Sequence, residues 1–294
     1  MPRVNRAIEL LEQGQPVYYT GPTGGGRGYE AGKQSASTWA DYVNYDMEHG
    51  PFDVATLREF MRGLVEGGPT RSGHRTPAVI VTLPMDAIDE DVMRANSWVI
   101  KQILASGVHG LLLCHAESPD AVRAFVETCR YPFNTTGVGR GLQVGRRGGG
   151  GQQHAAEIWG LEVRDYLAKA DPWPLNPQGE LFLGLKIENV RALSNVESSL
   201  RVPGIAFAEW GPGDMGMSMG HPDAHDPPYP ADMQDARSRV LAACKANDLK
   251  FLNMVRPQDV VANIEEGVMV CAAGRGGEEA AKIGRAHTRR TMPV

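Results

Sequence analysis

The chain has 294 residues, of which 42% are hydrophobic and 22% charged, with a net charge of −5 and a pI of about 5.9. That balance suits an ordinary soluble globular protein and carries no basic footprint for nucleic acid. No apolar run approaches the roughly 18–20 residues needed to cross a bilayer, so neither a nucleic-acid nor a membrane partner is expected.

The N-terminal MPRVNRAIELLEQGQ reads as a short amphipathic helix and lacks the apolar centre of a signal peptide. After it, short β-rich runs alternate with longer helical patterns. The predicted strands are 16–20, 41–46, 78–83, 110–115, 181–188, 205–211, 250–255 and 268–273. Helical segments such as VATLREFMRGLVEG, DVMRANSWVIKQILASG, PDAVRAFVETCR, VESSLRV and DMQDARSRVLAACKAND fall between them. Strand alternating with helix implies a parallel sheet, and eight such strands predict a single (β/α)8 TIM barrel spanning 1–294. A doubly wound open sheet is the rival. It would want a glycine-rich turn opening a helix after the first strand, and GYEAGKQSASTW after TGPTGGGRG does not read as one.

Two stretches break the rhythm. Residues 134–180 read as a long loop insertion, and GHPDAHDPPYPADM as a proline-rich connection. Within the first, VGRRGGGG invites a phosphate-binding reading but lacks the order of a nucleotide loop, and is read as a mobile lid or a subunit contact. The cysteines (Cys114, Cys129, Cys244, Cys271) show no CxxC spacing and are expected to be reduced core thiols of a cytoplasmic protein. The terminal RAHTRRTMPV is expected to be solvated or frayed.

In a parallel barrel the active site lies at the C-terminal ends of the strands. Strand two delivers Asp46, Glu48, His49 and Asp53 there, and strand four His115 and Glu117. Strand five ends in Glu188, strand six runs into Gly211-Pro212-Gly213-Asp214, and strand eight into Arg275 and two glycines. Glu188 closes an almost wholly apolar strand, LFLGLKIE, where a charge is costly unless compensated. Glu188 and Asp214 come from adjacent strands and suit a hard divalent cation; alternatively each caps a helix or pairs with Arg191 or Arg256. Arg275, at a helix start, suits a substrate carboxylate. Trp210, directly before the Gly-Pro turn, suits an aromatic wall of an acceptor pocket.

The segment LKIENVRALSNVESSLRVPGIAFAEWGPGDMGMSMGHP resembles the metal-binding core of the HpcH/HpaI family of class II pyruvate-dependent aldolases. YDMEHGPFD and RYPFNTTGVGRG resemble two further segments of that family, in compatible order. The resemblance implies Mg2+ or Mn2+ held by Glu188 and Asp214, His49 in proton transfer with Asp46 orienting it, and Gly211 and Pro212 in the substrate turn. It implies cleavage of a 4-hydroxy-2-oxo acid to pyruvate, or a related enolate, and an aldehyde, by a homo-oligomer (trimer or hexamer). Glu48 and Asp53 are expected to be structural or exposed. The family's third-strand arginine, which stabilises the keto oxygen, is absent from AVIVTLPMD, leaving Arg140, Arg275 and His115 as candidates for its role. That absence also keeps open a decarboxylase or an enolate-adding synthase on the same scaffold, and, less favoured, a non-catalytic ligand-binding barrel.

Overall fold

The computed structural model describes residues 3–294; Met1 and Pro2, the start of the expected N-terminal helix, lie outside the described residues. Nine strands form: β1 Val17–Thr20, β2 Tyr42–Asp46, β3 Ala78–Asp86, β4 Gly110–Cys114, β5 Pro172–Trp173, β6 Leu181–Ile187, β7 Phe207–Trp210, β8 Lys250–Val255 and β9 Val268–Ala273. All pairings are parallel, in the order β4-β3-β2-β1-β9-β8-β7-β6, and β4 pairs with β6 to close an eight-stranded barrel. The open doubly wound alternative is thereby excluded.

The expected 134–180 loop is corrected by the structure. It carries helices Gln152–Trp159 and Val163–Lys169, and the two-residue β5 pairs with the start of β6. The terminal segment is likewise anchored rather than frayed. Arg290 donates to the Asp41 carboxylate at 2.8 and 2.6 Å, and Arg285 reaches it at 3.3 Å. Burial alone would raise Asp41, but these guanidinium groups hold it below the usual carboxylate range.

Alternation along the strands sorts the apolar residues into two layers. Val17, Tyr42, Ala78, Ile80, Leu112, Phe182, Phe207, Leu252 and Val270 fill the barrel, and Ala7, Ile8, Leu10 and Leu11 of helix Arg6–Glu12 pack on them. Their alternates, such as Val79, Val81, Leu111, Leu185, Ile187 and Trp210, pack outward under the helices. Strands buried on both faces read as largely apolar runs, which is why the barrel strands were legible in the sequence. Asp53 caps helix Val54–Gly67 by accepting from the Thr56 amide at 3.0 Å, a contact of about 1 kcal/mol. Among the described residues no helix is long and apolar enough to cross a membrane.

Candidate metal centre and active site

The period of two that fills the barrel also decides what stands at its mouth. Lys186 and Glu188 share a strand face with Phe182, and Lys186 lies in register with Glu209 of β7. Glu188 is fully buried. Its Oε1 accepts the main-chain N–H of His115 at 2.9 Å, while its Oε2 makes no aligned hydrogen bond. Lys186 Nζ stands 2.7 Å from that oxygen and 2.6 Å from Glu48 Oε2. Burial raises the Glu188 carboxyl above the ordinary range against the pull of Lys186. It raises Glu209 too, to about 7. Burial would depress the Lys186 ammonium, but Glu209, Glu188 and Glu48 around it outweigh that and hold it charged.

Glu48, His115, Glu188 and Asp214 each offer one ligand atom, all within 4.8 Å of one another. Asp214 reaches the group from the first turn of helix Pro212–Met219, which opens immediately after β7. Gly211 makes room for it: a Cβ there would meet Glu188 Cβ and Oε2 at 2.8 Å. His115 holds a left-handed backbone (φ 44°), the conformation that turns its amide onto Glu188, and Asn189 Nδ2 lies 3.1 Å from its Nδ1. The alternative in which the arginines pair with these carboxylates fails. Arg191 grips Glu117 at 2.7 and 2.8 Å, and Arg256 pairs with Asp226. Helix capping fails for Glu188 as well, since the neighbouring Asn189 supplies the cap of Val190–Ser194. A buried carboxylate oxygen without an aligned donor, three carboxylates, an imidazole and a glycine-made recess together fit a hard divalent cation.

Beside this cluster His49 Nδ1 lies 3.0 Å from Asp46 Oδ2, and Asp46 Oδ1 accepts the amides of Glu48 and His49 at 2.8 and 3.1 Å. Burial would lower His49, but the Asp46 hydrogen bond and the charges of Glu48 and Asp46 together outweigh it and raise it overall. Burial would raise Asp46, yet the His49 contacts hold it low. The His49 ring stays exposed to the mouth.

The remaining sequence candidates divide. Arg275 stands exposed in the turn after β9, at the rim, with Gly276 in a left-handed conformation (φ 80°) behind it. Trp210 is corrected: it points away from the mouth, 1% exposed, donating to Asn253 Oδ1 at 2.9 Å and packed edge-on against Tyr229. Strand alternation explains this, since inward Glu209 forces Trp210 outward. Arg140 is corrected as well. It follows helix Pro119–Cys129, which returns from the end of β4 to the opposite face of the barrel, and its neighbour Gly141 packs on Pro203 ahead of β7.

Glu48, Lys186 and Glu209 were missed as site residues. A charged residue two places before Glu188 in an apolar strand was the available signal: it shares that face and needs a partner inside the barrel. On β3 the inward residue level with Asp46 is Thr82, its hydroxyl donating to Asn44 Oδ1 at 3.0 Å. Where the third strand offers a threonine, Lys186 of β6 brings a cation to the mouth.

A profile of the HpcH/HpaI aldolase/citrate lyase family matches residues 30–280. A hydroxypyruvate/pyruvate aldolase of Paraburkholderia phytofirmans is 27% identical over 69% of this chain and 65% of its own length. A 2-keto-3-deoxy-L-rhamnonate aldolase of Klebsiella pneumoniae is 32% identical over 72% of this chain and 67% of its own. The matches thus span about two thirds of these relatives' length. An HpcH/HpaI aldolase/citrate lyase family protein of Burkholderia cenocepacia superposes with a TM-score of 0.71 at 22% identity, covering 96% of this chain and 97% of that one. At that identity the likeness establishes the fold.

Proposed function

This chain belongs to the HpcH/HpaI aldolase/citrate lyase family, and on that premise we propose that it is a divalent-metal-dependent carbon–carbon lyase. Its substrate on this reading is a 4-hydroxy-2-oxo acid, cleaved to pyruvate or a related enolate and an aldehyde. The observation that carries the proposal is the convergence of Glu188 and Asp214, with Glu48 and His115 in reach, next to the His49–Asp46 pair.

Glu188 and Asp214 would hold Mg2+ or Mn2+, which when bound supplies Lewis-acid stabilisation of the charge developing at the keto oxygen. His49, its Nδ1 fixed by Asp46, presents Nε2 to take the 4-hydroxyl proton as the C3–C4 bond breaks. The C3–C4 bonding pair becomes the C2–C3 double bond as the carbonyl pair moves onto the C2 oxygen, and return of a proton to C3 converts the enolate to pyruvate. Lys186 supplies positive charge at the C2 oxygen: one N–H is committed to Glu48, Glu188 is close but out of line, and a further N–H is left for the substrate. Arg275 at the rim anchors the far carboxylate of a dicarboxylic substrate. Gly211 and Pro212 keep the turn narrow enough for Asp214 to close on Glu188.

The reading extends to a cytoplasmic homo-oligomer, trimer or hexamer. It is supported by four buried, unpaired thiols and by the edge-on pair Phe52 and Trp98, 42% and 55% exposed. Pyruvate release from 4-hydroxy-2-oxo acids, with and without chelator, tests the activity.

A further inference from the structure

The glycine-rich run that follows Arg140 builds a second recess, sharing no residue with the catalytic mouth. Helices Val54–Gly67 and Ser97–Leu104 contribute Arg58 and Lys101, and the loop contributes Arg146, Arg147 and glycines 148–151. The cavity they enclose measures about 370 Å³, within the range of small-molecule sites. Gly151 lets the loop close on Ser97–Leu104: its Cβ would lie 2.4 Å from that of Ala105. It also opens helix Gln152–Trp159 with no side-chain cap.

Arg147 is the informative member. It is 3% exposed, sandwiched by Tyr131 and Tyr166 at 4.7 and 5.6 Å, with Nη2 donating to the Tyr166 hydroxyl at 2.5 Å. Its Nη1 is buried with no partner, and so is Arg58 Nε. Carboxylates in this part of the fold are already paired: Glu127 with Arg94, Asp171 with Arg130 and Glu59 with Arg62. Among the described residues the Gly148, Gly149 and Gly151 amides have no protein acceptor, while that of Gly150 is taken by Gln152. A buried guanidinium with an unused edge costs free energy unless an acceptor meets it. Here several donors converge without one.

We propose that this recess binds a phosphate-type dianion, free or as the phosphoryl group of a small metabolite, held by Arg147 Nη1, Arg58, Lys101, Arg146 and the loop amides. Such a site combines a fixed fork with backbone N–H groups, the geometry that suits tetrahedral oxyanions. The site stands independently of the lyase reading.

The test is calorimetric titration of the full-length protein with inorganic phosphate and, separately, glycerol 3-phosphate, in chloride buffer containing EDTA so that no metal in the mouth takes the anion. Saturable binding by the wild type is expected. The partly exposed pair Lys101→Ala/Arg146→Ala should raise Kd tenfold or more with an unchanged circular-dichroism spectrum, and Glu188→Ala should leave Kd unchanged. Tighter binding of glycerol 3-phosphate than of phosphate would assign the site to a phosphorylated metabolite, and equal binding to the free dianion. Absence of saturable binding, or an unchanged Kd in the double variant, would overturn the proposal. So would a double variant that changes the oligomeric state while phosphate leaves the wild-type assembly and heat signal untouched, because a partner subunit's carboxylate would then be the acceptor.

Discussion

Replacing Lys186 by methionine keeps the volume of the side chain and removes the ammonium that neutralises Glu48 and Glu188. Lys186 is 8% exposed and meets Glu48 at 2.6 Å and Glu188 at 2.7 Å. With an effective dielectric near 20, each contact carries about 6 kcal/mol of Coulomb attraction, most of it offset by desolvation. Removing one partner of a buried pair leaves a net loss of about 3–5 kcal/mol. In EDTA, urea unfolding of Lys186→Met should therefore show a loss of that size. Mn2+ should restore most of it, because a divalent cation compensates the same carboxylates, and the variant should bind Mn2+ more tightly than the wild type. The lyase reaction moves the other way: kcat/KM for pyruvate release should fall about 10²–10³-fold, the scale of losing one charge-stabilising donor. Wild-type stability in EDTA, or an equal loss with and without Mn2+, would refute the assignment of Lys186 as the neutralising cation.

Three further outcomes follow from neighbouring contacts. Gly211→Ala puts a Cβ 2.8 Å from Glu188 Oε2, and isothermal titration should show Mn2+ affinity reduced about tenfold or more, roughly 1.4 kcal/mol. In metal-free protein, His49 should titrate by NMR above its ordinary value, and Asp46→Asn, which removes the hydrogen-bonded charge, should bring it down. Arg290→Ala should cost about 3–5 kcal/mol in urea unfolding at neutral pH, as it strands the buried Asp41 carboxylate beside fewer cations. Asp41 is held below its unfolded value, so the Arg290 contribution is present above about pH 4 and fades as the pH falls through the folded-state value; the gap between wild type and variant should close on acidification.

The barrel was legible because strands buried on both faces leave continuous apolar runs, and because those runs alternate with helical patterns. The convergence of Glu188 and Asp214 was legible because strand ends in such a barrel face one mouth. Trp210 was misread for want of the same alternation: with Glu209 inward it must face the helices. Lys186 was passed over as part of an apolar strand, although its spacing from Glu188 puts both on one face. Arg140 failed for a different reason. Its segment matches a family pattern in sequence, but a helix running back along the barrel carries it to the far face, and no local pattern encodes that. The C-terminal arginines looked solvated because their partner, Asp41, lies more than two hundred residues away in the chain.

The central claim is metal-dependent carbon–carbon cleavage at Glu188 and Asp214. It is tested most directly by pyruvate release, coupled to lactate dehydrogenase, from a panel of 4-hydroxy-2-oxo acids with Mg2+, Mn2+ or EDTA, for the wild type and Glu188→Ala. Turnover that EDTA and the substitution each abolish is the predicted result. Tight metal binding without pyruvate from any member of the panel, or turnover indifferent to both EDTA and Glu188→Ala, would contradict it.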